Sequence, residues 1–163
     1  MLIPPFMTHR VRGKKEALSA RLKARLVASL LQFEIHEQAC IAAGTFMVAC
    51  KALASQGKCV LCFQIEQDHL HVYAQEWRSP DQPKLGGEAK LGLHLSKLLP
   101  CGRTWGEKDV AWLVKKVEES AHDGLFEEIV RQNQEILAFL HELQSQRANL
   151  GPREDSSRNP SAA

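Results

Sequence analysis

Cys59-Val60-Leu61-Cys62-Phe63-Gln64-Ile65, then Glu66-Gln67-Asp68, then His69-Leu70-His71-Val72-Tyr73-Ala74, is the stretch that decides the fold. The first run is mostly apolar. The second alternates polar with apolar, the period of two that a half-buried strand needs. The polar triplet between them is hairpin-like, so the two runs are expected to pair antiparallel. Just upstream, residues 36–55 read as a helix. Cys40, Ala43, Met47 and Cys50 share one face, joined by Ile41, Val48 and Ala54. Ala39, Ala42, Ala43, Gly44, Ala49 and Ala52 keep this helix slim enough to lie against a sheet or another helix, and Gly57 ends it. The expectation is an α+β fold: a small antiparallel sheet packed on helices, with a long C-terminal helix.

Working outward, residues 1–13 read as a loose, flexible leader and Lys14–Gln32 as a helix. Leu18, Leu22, Leu26 and Leu30 form its apolar stripe, widened by Val27 and Leu31, with Arg21, Lys23 and Arg25 on the other side. Downstream, residues 77–90 hold Ser79-Pro80-Asp81, Pro83 and Gly86-Gly87 and read as a loop. Leu91, Leu93 and Leu95, followed by Leu98 and Leu99, fit a strand or a short helix, closed by Pro100 and Gly102. Thr104-Trp105-Gly106-Glu107 matches a capping box. The helix it opens buries Val110, Leu113, Val114 and Val117 and ends near Ala121 or Gly124.

The last helix spans about Leu125–Leu150 with near-heptad spacing. Ile129, Ile136, Leu143 and Leu150 fall at one core position, and Leu125, Gln132, Phe139 and Gln146 at the other. Leu125, Ile129, Gln132, Ile136, Phe139 and Leu143 are therefore the candidate partner-binding residues. Gly151-Pro152 stops the helix, and the polar, Ser- and Pro-bearing residues 151–163 are expected to be disordered. The expected organisation is a leader at 1–13, an α+β domain at 14–103, a helical hairpin at 104–150 and a tail at 151–163.

Charge is unevenly placed. The chain has a net charge of +2, but Arg10, Arg12, Lys14, Lys15, Arg21, Lys23 and Arg25 face only Glu16 within the first 25 residues. A basic N-terminal arm of this kind can touch nucleic acid or anionic lipid. The aromatic residues are not interleaved with it, so a base-stacking platform is poorly supported and a solvated basic helix face is the simpler reading. No run of about 18 apolar residues is present, so no membrane span is expected. Pro4 and Pro5 interrupt the opening apolar residues, unlike the core of a secretory signal. Five cysteines cannot all pair within one chain, and a cytoplasmic location with reduced thiols is the default expectation.

Few constellations carry chemistry. Cys59 and Cys62 lie three apart, which on a strand turns them to opposite faces. His69, His71 and Cys101 lack the spacing of a second ligand pair, so no metal is expected. Neither a nucleophile elbow nor a Walker-type phosphate loop is present. His141-Glu142-Leu143 resembles the phosphoacceptor box of sensor histidine kinases, which makes His141 a possible phosphoacceptor. The flanking Gln144, Ser145 and Gln146 depart from that box.

Two further segments carry a family resemblance. Val110-Ala111-Trp112-Leu113-Val114 with Phe126-Glu127-Glu128-Ile129-Val130-Arg131-Gln132-Asn133-Gln134-Glu135-Ile136-Leu137 resembles a region after the ATPase domain of bacterial anti-sigma-type serine kinases, members of the histidine-kinase-like (GHKL) ATPase superfamily. Phe33-Glu34-Ile35-His36-Glu37-Gln38 followed by Ile41-Ala42-Ala43 resembles the entry to their nucleotide-binding helix. The resemblance runs loosely over residues 14–150 and is strongest at 107–143. Aligned this way, the family's acidic base falls at Met47 and its magnesium-binding asparagine at Lys51. The adenine-recognition box matches Tyr73–Asp81, which has no glycine; Gly86-Gly87 and Gly92 are at best a vestige of the later glycine-rich box. Met cannot orient a water, and Lys cannot ligate Mg²⁺.

The resemblance implies a non-catalytic bacterial signalling regulator, a pseudokinase without cofactor or catalytic residues. It would bind a kinase, an anti-sigma antagonist or a response regulator, and its last helix would pair with itself, as a homodimer, or with a partner. Two alternatives stand beside it: a phosphotransfer enzyme using His141, and a nucleic-acid-associated protein using the basic arm.

Overall fold

The computed structural model describes residues 4–78, 90–100, 104–121 and 124–151, apart from the side chains of 90 and 91. Among these the chain is α+β, with four helices and one four-stranded antiparallel sheet. In chain order the elements are β1 (Met7–Val11), α1 (Lys14–Leu30), α2 (Ile35–Gln56), β2 (Cys59–Glu66), β3 (His69–Glu76), β4 (Lys90–Leu98), α3 (Glu107–Ala121) and α4 (Leu125–Asn149). The sheet order is β1-β2-β3-β4. Contacts divide the chain into two units, one up to Ile129 and one from Val130 onward.

The expected hairpin is present. Glu66 pairs with His69, and the two residues between them, Gln67 and Asp68, both have positive φ, 49° and 60°. That is the geometry of a two-residue primed turn, whose twist matches the flanking strands. One row of side chains crosses the whole sheet, Met7–Phe63–Val72–Leu95. With Val11, Leu61 and Ala74 it forms the floor of the core. Burying a side chain such as Phe63 completely contributes roughly 1.5–3 kcal/mol.

Several expectations are corrected. Residues 7–11 are an edge strand, β1, and not part of a loose leader. A run as polar as Thr8-His9-Arg10 carries no strand signal, but Met7 and Val11 are buried against β2 and α1 and hold it there. Residues 90–98 resolve as strand. The register shift between Tyr73 and Gln75 is taken up opposite Gly92, whose φ of +71° an L side chain rarely adopts. The helix start at 104–107 is displaced: the Gly106 N–H donates to the Asp109 carboxylate (3.2 Å), the reciprocal half of a capping box two residues after Thr104. The boundary expected at 103/104 lies within α4 instead, because Leu113 and Val117 of α3 are fully buried in the same core as α1. The expected tail from 152 and most of the expected loop, residues 79–89, fall outside the described residues.

α1 and α2 are joined by a tight corner. The Gln32 N–H donates to the Ser29 carbonyl (3.0 Å) and the Phe33 N–H to the Ala28 carbonyl (3.0 Å), a Schellman ending with Gln32 at φ 65°. α2 lies close to β4: a Cβ added at Gly44 would sit 3.3 Å from Leu95. By length and composition α2 is apolar enough to cross a membrane, contrary to the reading of the sequence. Here, however, Ile41, Ala42, Thr45, Val48, Ala49 and Ala52 are buried within the protein.

Candidate interaction surface on the last helix

The start of α4 is built into the α+β unit. Gly124 precedes it, and its carbonyl accepts the Glu128 N–H at 3.0 Å. A Cβ at Gly124 would come within 3.2 Å of Leu22. One turn on, Glu128 is 1% exposed and lies between two arginines of α1, themselves 4% and 6% exposed. Arg21 Nε donates to Glu128 Oε1 at 3.1 Å. Arg25 forms a fork, with Nε to Oε2 at 2.9 Å and Nη2 to Oε1 at 3.1 Å. Bidentate pairing of this kind is among the stronger charge-assisted contacts. Arg21 and Arg25, expected on the solvent side of α1, are therefore inside. No local pattern marks this cluster, because its members lie more than 100 residues apart in the chain.

The rest of α4 shows apolar side chains to solvent. Phe126 is 74% exposed, Leu137 66% and Phe139 60%, and Ile129, Val130, Ile136, Leu140 and Leu143 are also exposed. Of the six candidate partner-binding residues, Ile129, Ile136, Phe139 and Leu143 are exposed while Leu125 and Gln132 are partly buried. Phe126, Val130, Leu137 and Leu140 belong to the exposed set and were not singled out by the sequence spacing. The buried Glu128 carries the missing information, since it shows which side of the first turns is inward. His141 is exposed on α4 and adjoins Glu142 and Leu143.

Met47 and Lys51 lie one turn apart on the exposed side of α2, with Met47 54% exposed. Glu37 is the only acidic residue of α2, ten positions before Met47. This surface therefore offers neither a carboxylate nor an asparagine amide at either family position. Tyr73–Glu76, the first part of the stretch matched to the adenine box, is the end of β3, paired throughout with β2 and at Tyr73 and Gln75 with β4.

The outer face of the sheet is polar. His71 Nδ1 and His94 Nε2 are 2.8 Å apart, one donating and the other accepting, with the rings stacked. Cys62 Sγ donates to Gln75 Oε1 on this face, while Cys59 points into the core, as their odd spacing requires. Burial alone raises the Cys59 pKa to about 11. Among the described residues no group of three or more His, Cys, Asp or Glu is placed to hold a metal ion. At one end of the sheet Arg10, Arg12 and Lys58 sit 5.1, 5.7 and 5.5 Å from the centre of the Trp77 ring. The basic arm thus meets an aromatic residue distant in sequence, while two of its arginines are buried in ion pairs with Glu128.

No protein-family model, curated protein or solved structure matches this chain.

Proposed function

We propose that this chain is a non-catalytic signalling regulator that works by binding another protein chain through α4, on a reduced domain of the histidine-kinase-like ATPase type. The observation that carries the reading is the row of exposed apolar side chains on α4. Isolated exposed apolar residues are ordinary, but a contiguous row marks a surface that another chain covers. The helix that would carry the nucleotide machinery supports the non-catalytic part. With Met47 and Lys51 at the two family positions, α2 has no group there to activate a proton or ligate magnesium. The expected partner is a kinase, an anti-sigma antagonist or a response regulator.

The test pairs two measurements on purified protein. Calorimetry with ATP and Mg²⁺ should give no heat of binding and no turnover. Ile136→Glu with Leu140→Glu should leave the far-ultraviolet spectrum unchanged while abolishing association with itself or with a candidate signalling partner. Nucleotide turnover, or association unaffected by the double substitution, would reject the reading.

A second reading rests on His141, exposed and followed by Glu142. Stable transfer of label from a phosphorylated receiver domain, lost in His141→Ala, would replace the first reading with a phosphotransfer enzyme.

A further inference from the structure

Burial over the first turns of α4 shifts one core position of the heptad: Leu125 and Gln132 are partly buried, while Phe126 and Asn133 are exposed. One core position then holds Phe126, Asn133, Leu140 and Arg147, and the other Ile129, Ile136, Leu143 and Leu150. This differs from the repeat read from spacing alone, which placed Gln132 and Gln146 in the seam. Both are now on a flank.

Resting on the reading of α4 as an interaction surface, we infer that its occupant is the α4 of a second copy of this chain, parallel and in register. Three observations carry this. First, the residues flanking the seam are Val130, Leu137 and Gln144 on one side and Gln132, Phe139 and Gln146 on the other. None is charged. Flank charges are what set like helices apart or select a complementary partner, and no flank charge here opposes self-pairing. Second, covering the exposed apolar side chains from Phe126 to Leu143 on two copies removes on the order of 1,000–1,500 Å², which reaches the size of a specific interface.

Third, Asn133 fixes the orientation. It is exposed in the single chain and is the one polar residue in the middle of the seam. In an antiparallel pair each residue of its core position faces the other position, which holds only Ile129, Ile136, Leu143 and Leu150. Any such alignment buries the amide against an aliphatic side chain, at a cost of about 1–3 kcal/mol. In a parallel, in-register pair Asn133 meets the Asn133 of the second copy, and the two amides hydrogen-bond. A single asparagine at this position also favours two strands over more. Arg147, at the same core position, would face its own copy; it lies in the last turn of α4, where the helix C-terminus favours positive charge and a long side chain can turn its head to solvent.

Sedimentation equilibrium of the full chain should give a dimer, and Leu140→Glu should weaken it at least tenfold. Leu140 is half exposed, so that substitution leaves the fold intact. Orientation is read from Asn133→Cys under mild oxidation, with the unsubstituted chain as the control for the native cysteines. A disulfide joining the two substituted positions, located by mass spectrometry of a peptide digest, is expected in the variant alone. A dimer that forms no such link overturns the parallel arrangement while leaving α4 as the interaction surface. A monomer at all concentrations, or a dimer indifferent to Leu140→Glu, overturns pairing through α4. If a monomeric chain loses a signalling partner on Leu140→Glu, the broader functional reading survives without the homodimer.

Discussion

Glu128 is the residue that ties the first turn of α4 to α1. Its carboxylate is fully buried, and the two arginine side chains it joins are nearly so. Removing one member of a buried charge cluster leaves the others without compensation. Glu128→Ala is expected to destabilise the chain by about 3–5 kcal/mol, measured by urea unfolding. Replacing all three charges together, with Arg21→Met, Arg25→Leu and Glu128→Leu, should restore most of that loss. A Glu128→Ala variant as stable as the parent would show that the cluster does not hold the helix.

His9 gives a pH dependence whose sign is fixed by its surroundings. Its ring donates through Nε2 to the Glu16 carbonyl at 3.0 Å. Burial first, and then the charge of Lys23, lower its pKa below the usual 6.5, against the opposing pull of the Glu16 carbonyl and carboxylate. Above 6.5 the ring is neutral in both folded and unfolded chains. As pH falls through 6.5 the unfolded chain takes up a proton that the folded one resists. Stability therefore declines until the folded-state pKa is passed. The urea midpoint should drop between pH 7.5 and 5.5, and by less in His9→Gln. Equal slopes in the two chains would remove His9 as the source. The cysteines offer a simpler contrast. With the Cys59 pKa near 11, only on the order of one thiol in a thousand is ionised at pH 8. Exposed Cys40 should be alkylated quickly, and Cys59 only on unfolding.

At the scale of elements, two predictions follow from how helices end and begin. Gln32 occupies the left-handed position of a Schellman ending where glycine is the unstrained choice. Gln32→Gly should therefore raise stability by about 0.5–1 kcal/mol in thermal or urea unfolding. The start of α4 can be separated from its remainder. A chain ending after Ile129 keeps Glu128 with its arginines and should unfold cooperatively near the parent's midpoint. A chain ending after Gly124 should unfold at a clearly lower denaturant concentration. Equal midpoints would mean that the first turn of α4 adds nothing to the α+β unit. The helices and the β2–β3 hairpin were legible because each carries its own period and its own turn chemistry. β1 was not, since an edge strand with two core residues among three polar ones has no period to read.

For the molecule as a whole, the local pattern specified α2, the hairpin, the α+β class and the existence of a long final helix with apolar repeats. Those features depend on neighbours a few residues apart, where side-chain spacing and backbone preference act directly. Which side of the first turn of α4 is inward, that Arg21 and Arg25 are inside, and that Trp77 gathers Arg10, Arg12 and Lys58 were settled only by the tertiary structure. Each of these joins groups that are distant in the chain, and a charge or an apolar stripe looks the same in sequence whether solvent, a partner or the chain's own core will cover it.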